Sequence, residues 1–168
     1  MGSDSVGSKG SMPASKEVFV FDTLQQIIDF AIRKEQEAAD FYHDLAANVK
    51  DKTVAAELQK MAGEEERHRD ALMRNPVAFT AERERELIPN LKIADYTVVP
   101  SVGPDLSFED AVNIAMHREK LSLDLYNQLA ASADDPSVQT LFRNLAEEES
   151  RHKLYFESIW DERVLTEN

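Results

Sequence analysis

The sequence predicts an all-α chain, a four-helix bundle built from two repeated helical hairpins and joined by a long crossover. Three observations carry that expectation. Apolar residues recur at three-to-four spacing along four long stretches, which is the helical period. Displacing the 168-residue chain against itself by 84 positions superposes the first two stretches on the last two without a gap. Between the pairs the pattern stops, interrupted by Pro76, Pro89, Pro100, Gly103 and Pro104.

Taken in order, residues 1–20 are set apart: Met1 to Ser11 is Gly/Ser-rich and reads as an expression leader, with Met12 a native start. The folded domain is expected over 21–168. Thr23, with Gln26 three residues on, resembles a capping box. It opens a helix whose inner face is Leu24, Ile27, Ile28, Ala31, Glu35, Ala38, Tyr42, Leu45 and Val49. Turn and cap residues over 48–53 lead to a second helix with Val54, Leu58, Met61, Ala62, Glu65, His68 and Leu72 inward, ending near Pro76. Glu64, Glu66, Arg67 and Arg69 read as solvent face. The first hairpin thus covers about 23–75 and the crossover about 76–106, with a short helix expected over 81–87. A connection this long suits a bundle whose second and third helices run parallel.

The second hairpin, about 107–163, opens at Ser107 and Asp110 and turns Val112, Ala115, Glu119, Ser122, Tyr126 and Leu129 inward. Asp135 as N-cap and Pro136 at the first helical position start the last helix. Its inner face is Val138, Leu141, Phe142, Leu145, Glu149, His152, Phe156 and Ile159, and a frayed tail is expected after Trp160.

Composition narrows the chemistry. With no cysteine, disulfides, thiolate metal sites, iron–sulfur clusters and thiol catalysis are all excluded. A formal net charge of −13 argues against nucleic acid and against an anionic membrane surface. No apolar run approaches the length of a membrane span, and no secretory segment stands out.

The acids on the apolar faces need their own explanation. Glu65 and His68 stand three apart, as do Glu149 and His152, and each glutamate is preceded thirty residues upstream by another, Glu35 or Glu119. The midpoints of those intervals, Lys50 and Asp134, fall in the two turns. At about 1.5 Å rise per residue, each upstream glutamate lies level with its Glu-x-x-His partner, roughly 20 Å from the turn. All six side chains therefore meet at mid-height. A Glu-x-x-His pair puts both groups on one helix face within reach of one ion. Two such pairs and two further glutamates form the ligand set of a carboxylate-bridged metal pair. Oxygen and imidazole donors favour iron or manganese, with zinc a redox-inert competitor. Buried without metal, four carboxylates would be costly and partly protonated.

Tyr42 and Tyr126 follow the upstream glutamates by seven residues on the same faces. They either hydrogen-bond ligand carboxylates across the bundle or simply pack the core. Asp29 and Asn113 are weak candidates for partners of the histidines' outer nitrogens. His43 and His117 fall off the inner faces and read as surface residues.

The stretches Ile32-Arg-Lys-Glu35-Gln-Glu-Ala38-Ala-Asp-Phe41-Tyr42 and Leu145-Ala-Glu-Glu-Glu149-Ser-Arg-His152 resemble the rubrerythrin-type branch of the ferritin-like superfamily, and the likeness runs from Asp22 to Trp160. That resemblance implies a ferritin-like four-helix bundle holding a non-haem di-iron centre that reduces hydrogen peroxide or dioxygen, in the cytoplasm, with a homodimer as an assembly it allows. Glu65 and Glu149 would bridge the ions, with Glu35 and Glu119 terminal. Two departures matter. Without cysteine the sequence holds no rubredoxin module, so an external electron donor such as a rubredoxin-like protein, or Fe(II) itself, is implied. Ser122 stands where peroxidase-type rubrerythrins carry an additional glutamate. The resulting six-ligand set is closer to a ferroxidase site, which keeps iron storage or detoxification, and a non-enzymatic metal-binding or sensing module, as alternatives.

Overall fold

A computed structural model describes residues 21–81, 88, 90, 92–96, 98 and 100–165. Four long helices make the bundle: α1 (Leu24–Asn48), α2 (Lys52–Arg74), α5 (Phe108–Ser132) and α6 (Pro136–Trp160). Two short ones, α3 (Pro76–Thr80) and α4 (Ile93–Tyr96), lie in the crossover. No β-strand occurs among the described residues.

Each long helix begins where its sequence provides an N-cap. The Thr23 hydroxyl accepts from the Gln26 amide at 3.2 Å, and the Gln26 side chain reaches back to the Asp22 amide at 2.6 Å. Asp51 accepts from the amides of Thr53 and Val54, and Asp135 from those of Ser137 and Val138, at 2.7–3.2 Å. Ser107 does the same for Asp110 at 3.0 Å. Such caps are each worth about 1 kcal/mol. Pro76 ends α2 as expected, yet it also opens α3, because a proline at the first helical position loses no hydrogen bond. The short helix expected over 81–87 falls on residues outside those described, apart from Ala81, which is not helical.

Helices α1 and α2 pack as one hairpin and α5 and α6 as the other. The first turn lies against the start of α5: Leu106 donates to the Asn48 carbonyl at 2.8 Å, and Lys50 donates to the Leu106 carbonyl at 3.1 Å. Helices α2 and α5 therefore start at the same end and run parallel. The expected frayed tail is instead a π-helical turn, Asp161–Leu165. Arg163 holds it there, pairing with Asp51 at 3.0 Å and lying 4.3 Å over the Phe108 ring.

Buried polar side chains pin the crossover to the second hairpin. Asn144 donates to the carbonyls of Phe79 and Ala81 at 2.7 and 3.0 Å. Lys153 bonds Glu157 at 2.5 Å and Asn90 at 2.9 Å, Glu157 accepts from the Ile93 amide at 3.1 Å, and Asn113 donates to the Val98 carbonyl. The Asn113 side chain is thereby committed to the crossover rather than to His68 or His152, while Asp29 accepts from Gln25 on the surface.

The expected inner faces are buried with exceptions at the ends. Leu24 is exposed, and Val49, Leu129 and Ile159 are half-buried, because the outermost turns have fewer neighbours. The core is in two parts. One cluster contains Leu45, Leu58, Met61, Val112 and Phe156, and the other Ile28, Leu72, Leu141, Phe142 and Leu145. Between them lies a band of acids and histidines.

Candidate metal centre

That band is formed by the six residues singled out from the sequence. Glu35, Glu65, Glu119, Glu149 and His152 are buried, and His68 is one-fifth exposed. Each occupies a place on its helix where leucine or methionine would extend the core, so burial follows from register alone. The rings of His68 and His152 stack in parallel with centroids 5.4 Å apart. His68 Nδ1 lies 3.5 Å from both Glu35 Oε2 and Glu65 Oε2, while His152 Nδ1 lies 3.1 Å from Glu65 Oε1 and 3.6 Å from Glu119 Oε2.

Ligand atoms gather into two groups, Glu35–Glu65–His68 and Glu65–Glu119–Glu149–His152, each with its atoms within 4.8 Å of one another. Glu65 belongs to both. Glu149, expected to bridge, belongs to one.

Hydrogen bonding shows which oxygens are committed. Tyr126 donates to Glu35 Oε1 at 2.8 Å, and Tyr42 donates to Glu119 Oε1 across the bundle. The second oxygen of each of these glutamates, both oxygens of Glu65 and Nδ1 of both histidines are buried without a hydrogen-bond partner among the described residues. Leaving buried polar atoms unsatisfied costs about 1–3 kcal/mol each. Such a cost is carried where something else satisfies them, and two metal ions would do so. A tyrosine that holds one oxygen of Glu35 or Glu119 leaves one for an ion, which suits a terminal ligand. Glu65, with both oxygens available, suits a bridge.

The electrostatics report crowding. Burial pushes Glu35 up to about 7, with the charge of Glu65 adding to the rise against the opposing pull of His68. Glu149 is raised well above the carboxylate range by burial and by the charges of Glu119 and Glu65. Burial also acts to raise Glu65, but the His152 and His68 imidazoles outweigh it and hold Glu65 below the usual range. Burial would lower both histidines. Glu35 and Glu65 nevertheless bring His68 to about 9, and Glu119, Glu64 and Glu65 hold His152 well above its ordinary value. The protein keeps charge tolerable by placing protons where cations would otherwise sit.

Glu64, read from the sequence as solvent face, is the functional neighbour the pattern did not expose. Its carboxylate is 3.6 Å from His152 Nε2, where it can orient the ring. The signal was present in the repeated pair Glu64-Glu65 and Glu148-Glu149, but adjacent acids on a helix ordinarily mark a wet surface. Glu148 in the second copy is instead held by Arg151 at 2.9 Å. Arg69, also assigned to solvent, is partly buried and bonds Gln36 at 2.5 Å. His43 is on the surface as expected, between Gln59 and Glu66. His117 is half-buried, its ring nitrogen 2.9 Å from the Asn113 carbonyl. Ser122 is buried, and its hydroxyl accepts from Arg118 at 2.5 Å.

A bundle with paired Glu-x-x-His helices and a shared central carboxylate defines the ferritin-like class of di-iron carboxylate proteins. The family model described as Rubrerythrin matches residues 26–160. The chain belongs to the rubrerythrin family, a family of oxidoreductases. Searches of curated proteins and of solved structures gave no match. Among the described residues no helix is long and apolar enough to cross a membrane.

Proposed function

We propose that the protein is a non-haem di-iron oxidoreductase that reduces hydrogen peroxide or dioxygen with electrons from an external donor such as a rubredoxin-like protein. The observation that carries this reading is the sharing of Glu65 between two ligand groups, with both Glu65 oxygens, one oxygen each of Glu35 and Glu119 and Nδ1 of both histidines lacking a hydrogen-bond partner among the described residues. In it, Glu35 and His68 would hold one ion and Glu119, Glu149 and His152 the other, with Glu65 common to both groups. Iron supplies the redox chemistry at such a site, and manganese or zinc would fit the same donors. Two ferrous ions held there would supply the two electrons that the reduction of peroxide to water requires.

The protein's own side chains prepare the site. Tyr42 and Tyr126 fix the carboxylates of Glu119 and Glu35 so that one oxygen of each faces inward. Glu64 steadies His152 from outside. The apolar clusters above and below exclude bulk water, which strengthens every charge interaction within. A cytoplasmic location goes with this reading, since reduced one-electron carriers are available there.

Rapid mixing of the ferrous protein with peroxide, and separately with dioxygen, tests the reading. Oxidation of both irons within one turnover, followed by re-reduction and repetition, is expected; an unreactive ferrous protein would refute it. The hydroxyl of Ser122, engaged by Arg118, adds no seventh carboxylate, and this favours a second reading as a ferroxidase serving iron storage or detoxification. Soluble Fe(III) accumulating well beyond two ions per chain would select it.

A further inference from the structure

A cavity of about 640 Å³ opens at the end of the bundle where α2 and α5 begin and α6 ends. Its size is that of a small-molecule site, for which ~300–1,000 Å³ is usual. The apolar wall is Phe108, Val112, Phe156 and Ile159. The polar lining is Thr53, Glu57, Tyr155, Ser158, Glu162 and Arg163, and its charged groups already have partners. Glu57 accepts a hydrogen bond from the Tyr155 hydroxyl and lies 3.9 Å from Lys60, and Arg163 is paired with Asp51 at 3.0 Å. A charged ligand would find no uncompensated partner on these walls. A neutral one with a flat apolar body and hydroxyl groups would find aromatic surface and the Glu57 carboxylate as acceptor.

The cavity also adjoins the metal centre through a continuous aromatic contact. Phe156, at its back wall, is 1% exposed and stacks on Tyr42 with centroids 5.8 Å apart. The hydroxyl of Tyr42 in turn donates to Glu119.

We infer that this cavity takes a small neutral aromatic reductant of the hydroquinone type, which delivers electrons over Phe156 and Tyr42 to the centre. The inference rests on the oxidoreductase reading proposed above. The reaction balances with hydrogen peroxide as oxidant: one hydroquinone and one peroxide give one quinone and two waters. Both hydroquinone O–H bonds and the peroxide O–O bond break, and the two electrons and two protons lost by the ring convert the peroxide oxygens, each already bearing one hydrogen, to water.

Hydroquinone itself, titrated into the zinc-loaded protein and followed by ligand-observed NMR, tests the site without any redox turnover. Saturable binding is expected, weakened at least tenfold by Ser158→Trp, which fills the cavity from its exposed rim, and weakened also by Glu57→Leu, with zinc content unchanged in both. The iron-loaded protein with peroxide should form quinone, and Ser158→Trp should lower that rate tenfold while the ferrous protein's single turnover with peroxide persists. Absence of saturable binding, or binding and quinone formation indifferent to Ser158→Trp, would overturn the inference. Binding that responds to both variants in a ferrous protein inert to peroxide would instead overturn the peroxidase reading and leave the cavity assigned as the ligand site.

Discussion

Loading the apo-protein with two divalent ions should release more than one proton at pH 7. Metal ligation needs neutral imidazole and ionised carboxylate, and the metal-free site holds protons on several of these groups. His68, held at about 9, gives up nearly a whole proton at pH 7. Glu35, at about 7, gives up half, and His152 and Glu149, both raised well above their ordinary values, add to the release in the same direction. Removing the His68 proton alone costs about 3 kcal/mol at this pH, so apparent affinity should climb steeply as pH rises. Zinc avoids oxidation, and calorimetric titration in two buffers of different ionisation enthalpy reads proton release directly. Release of about one proton or none would refute the assignment of these groups as ligands.

Without metal, stability should fall as pH rises. An acid with its folded pKa raised, as in Glu35, destabilises the fold progressively from about pH 4.5 to 7. A histidine raised to about 9 contributes stability that is complete below about 6.5 and lost as pH passes 9. Melting of the metal-free protein should therefore move to lower temperature between pH 6 and 9, and a rising midpoint would contradict this balance of charge and protonation. Replacing Glu149 by leucine should raise the midpoint of the metal-free protein, by about 1 kcal/mol or more in stability, since it removes a buried acid among like charges. The same variant should bind fewer than two ions by metal analysis; unchanged stoichiometry would remove Glu149 from the site. Tyr126→Phe should weaken binding at the Glu35 ion about tenfold in competition with a chromophoric chelator. Unchanged affinity would reduce Tyr126 to a packing residue.

Much of the site was legible because helices obey a fixed period. Glu35, Glu65, His68, Glu119, Glu149 and His152 interrupt apolar faces, and the 84-residue repeat places them level with one another before any coordinate is known. The caps at Thr23, Asp51, Ser107 and Asp135 are local chemistry and lie where the sequence puts them. Where nonlocal contact decides, sequence reading was weaker. Glu64 looks like any surface acid until α6 brings His152 against it, and Lys153 and Glu157 look solvated until the crossover covers them. Residues 161–165 have no helical pattern of their own and are held by the distant Asp51 and Phe108 through Arg163.

By itself, then, the sequence determined the four helices, their pairing into two equivalent hairpins and the height at which the four glutamates and two histidines meet, because period and spacing are one-dimensional quantities. Only the tertiary structure decided which glutamate is shared, which oxygens the tyrosines occupy, and that a cavity touches the centre through Phe156 and Tyr42. Those depend on how four cylinders rotate and lean against one another, and their separations in space have no counterpart in separation along the chain.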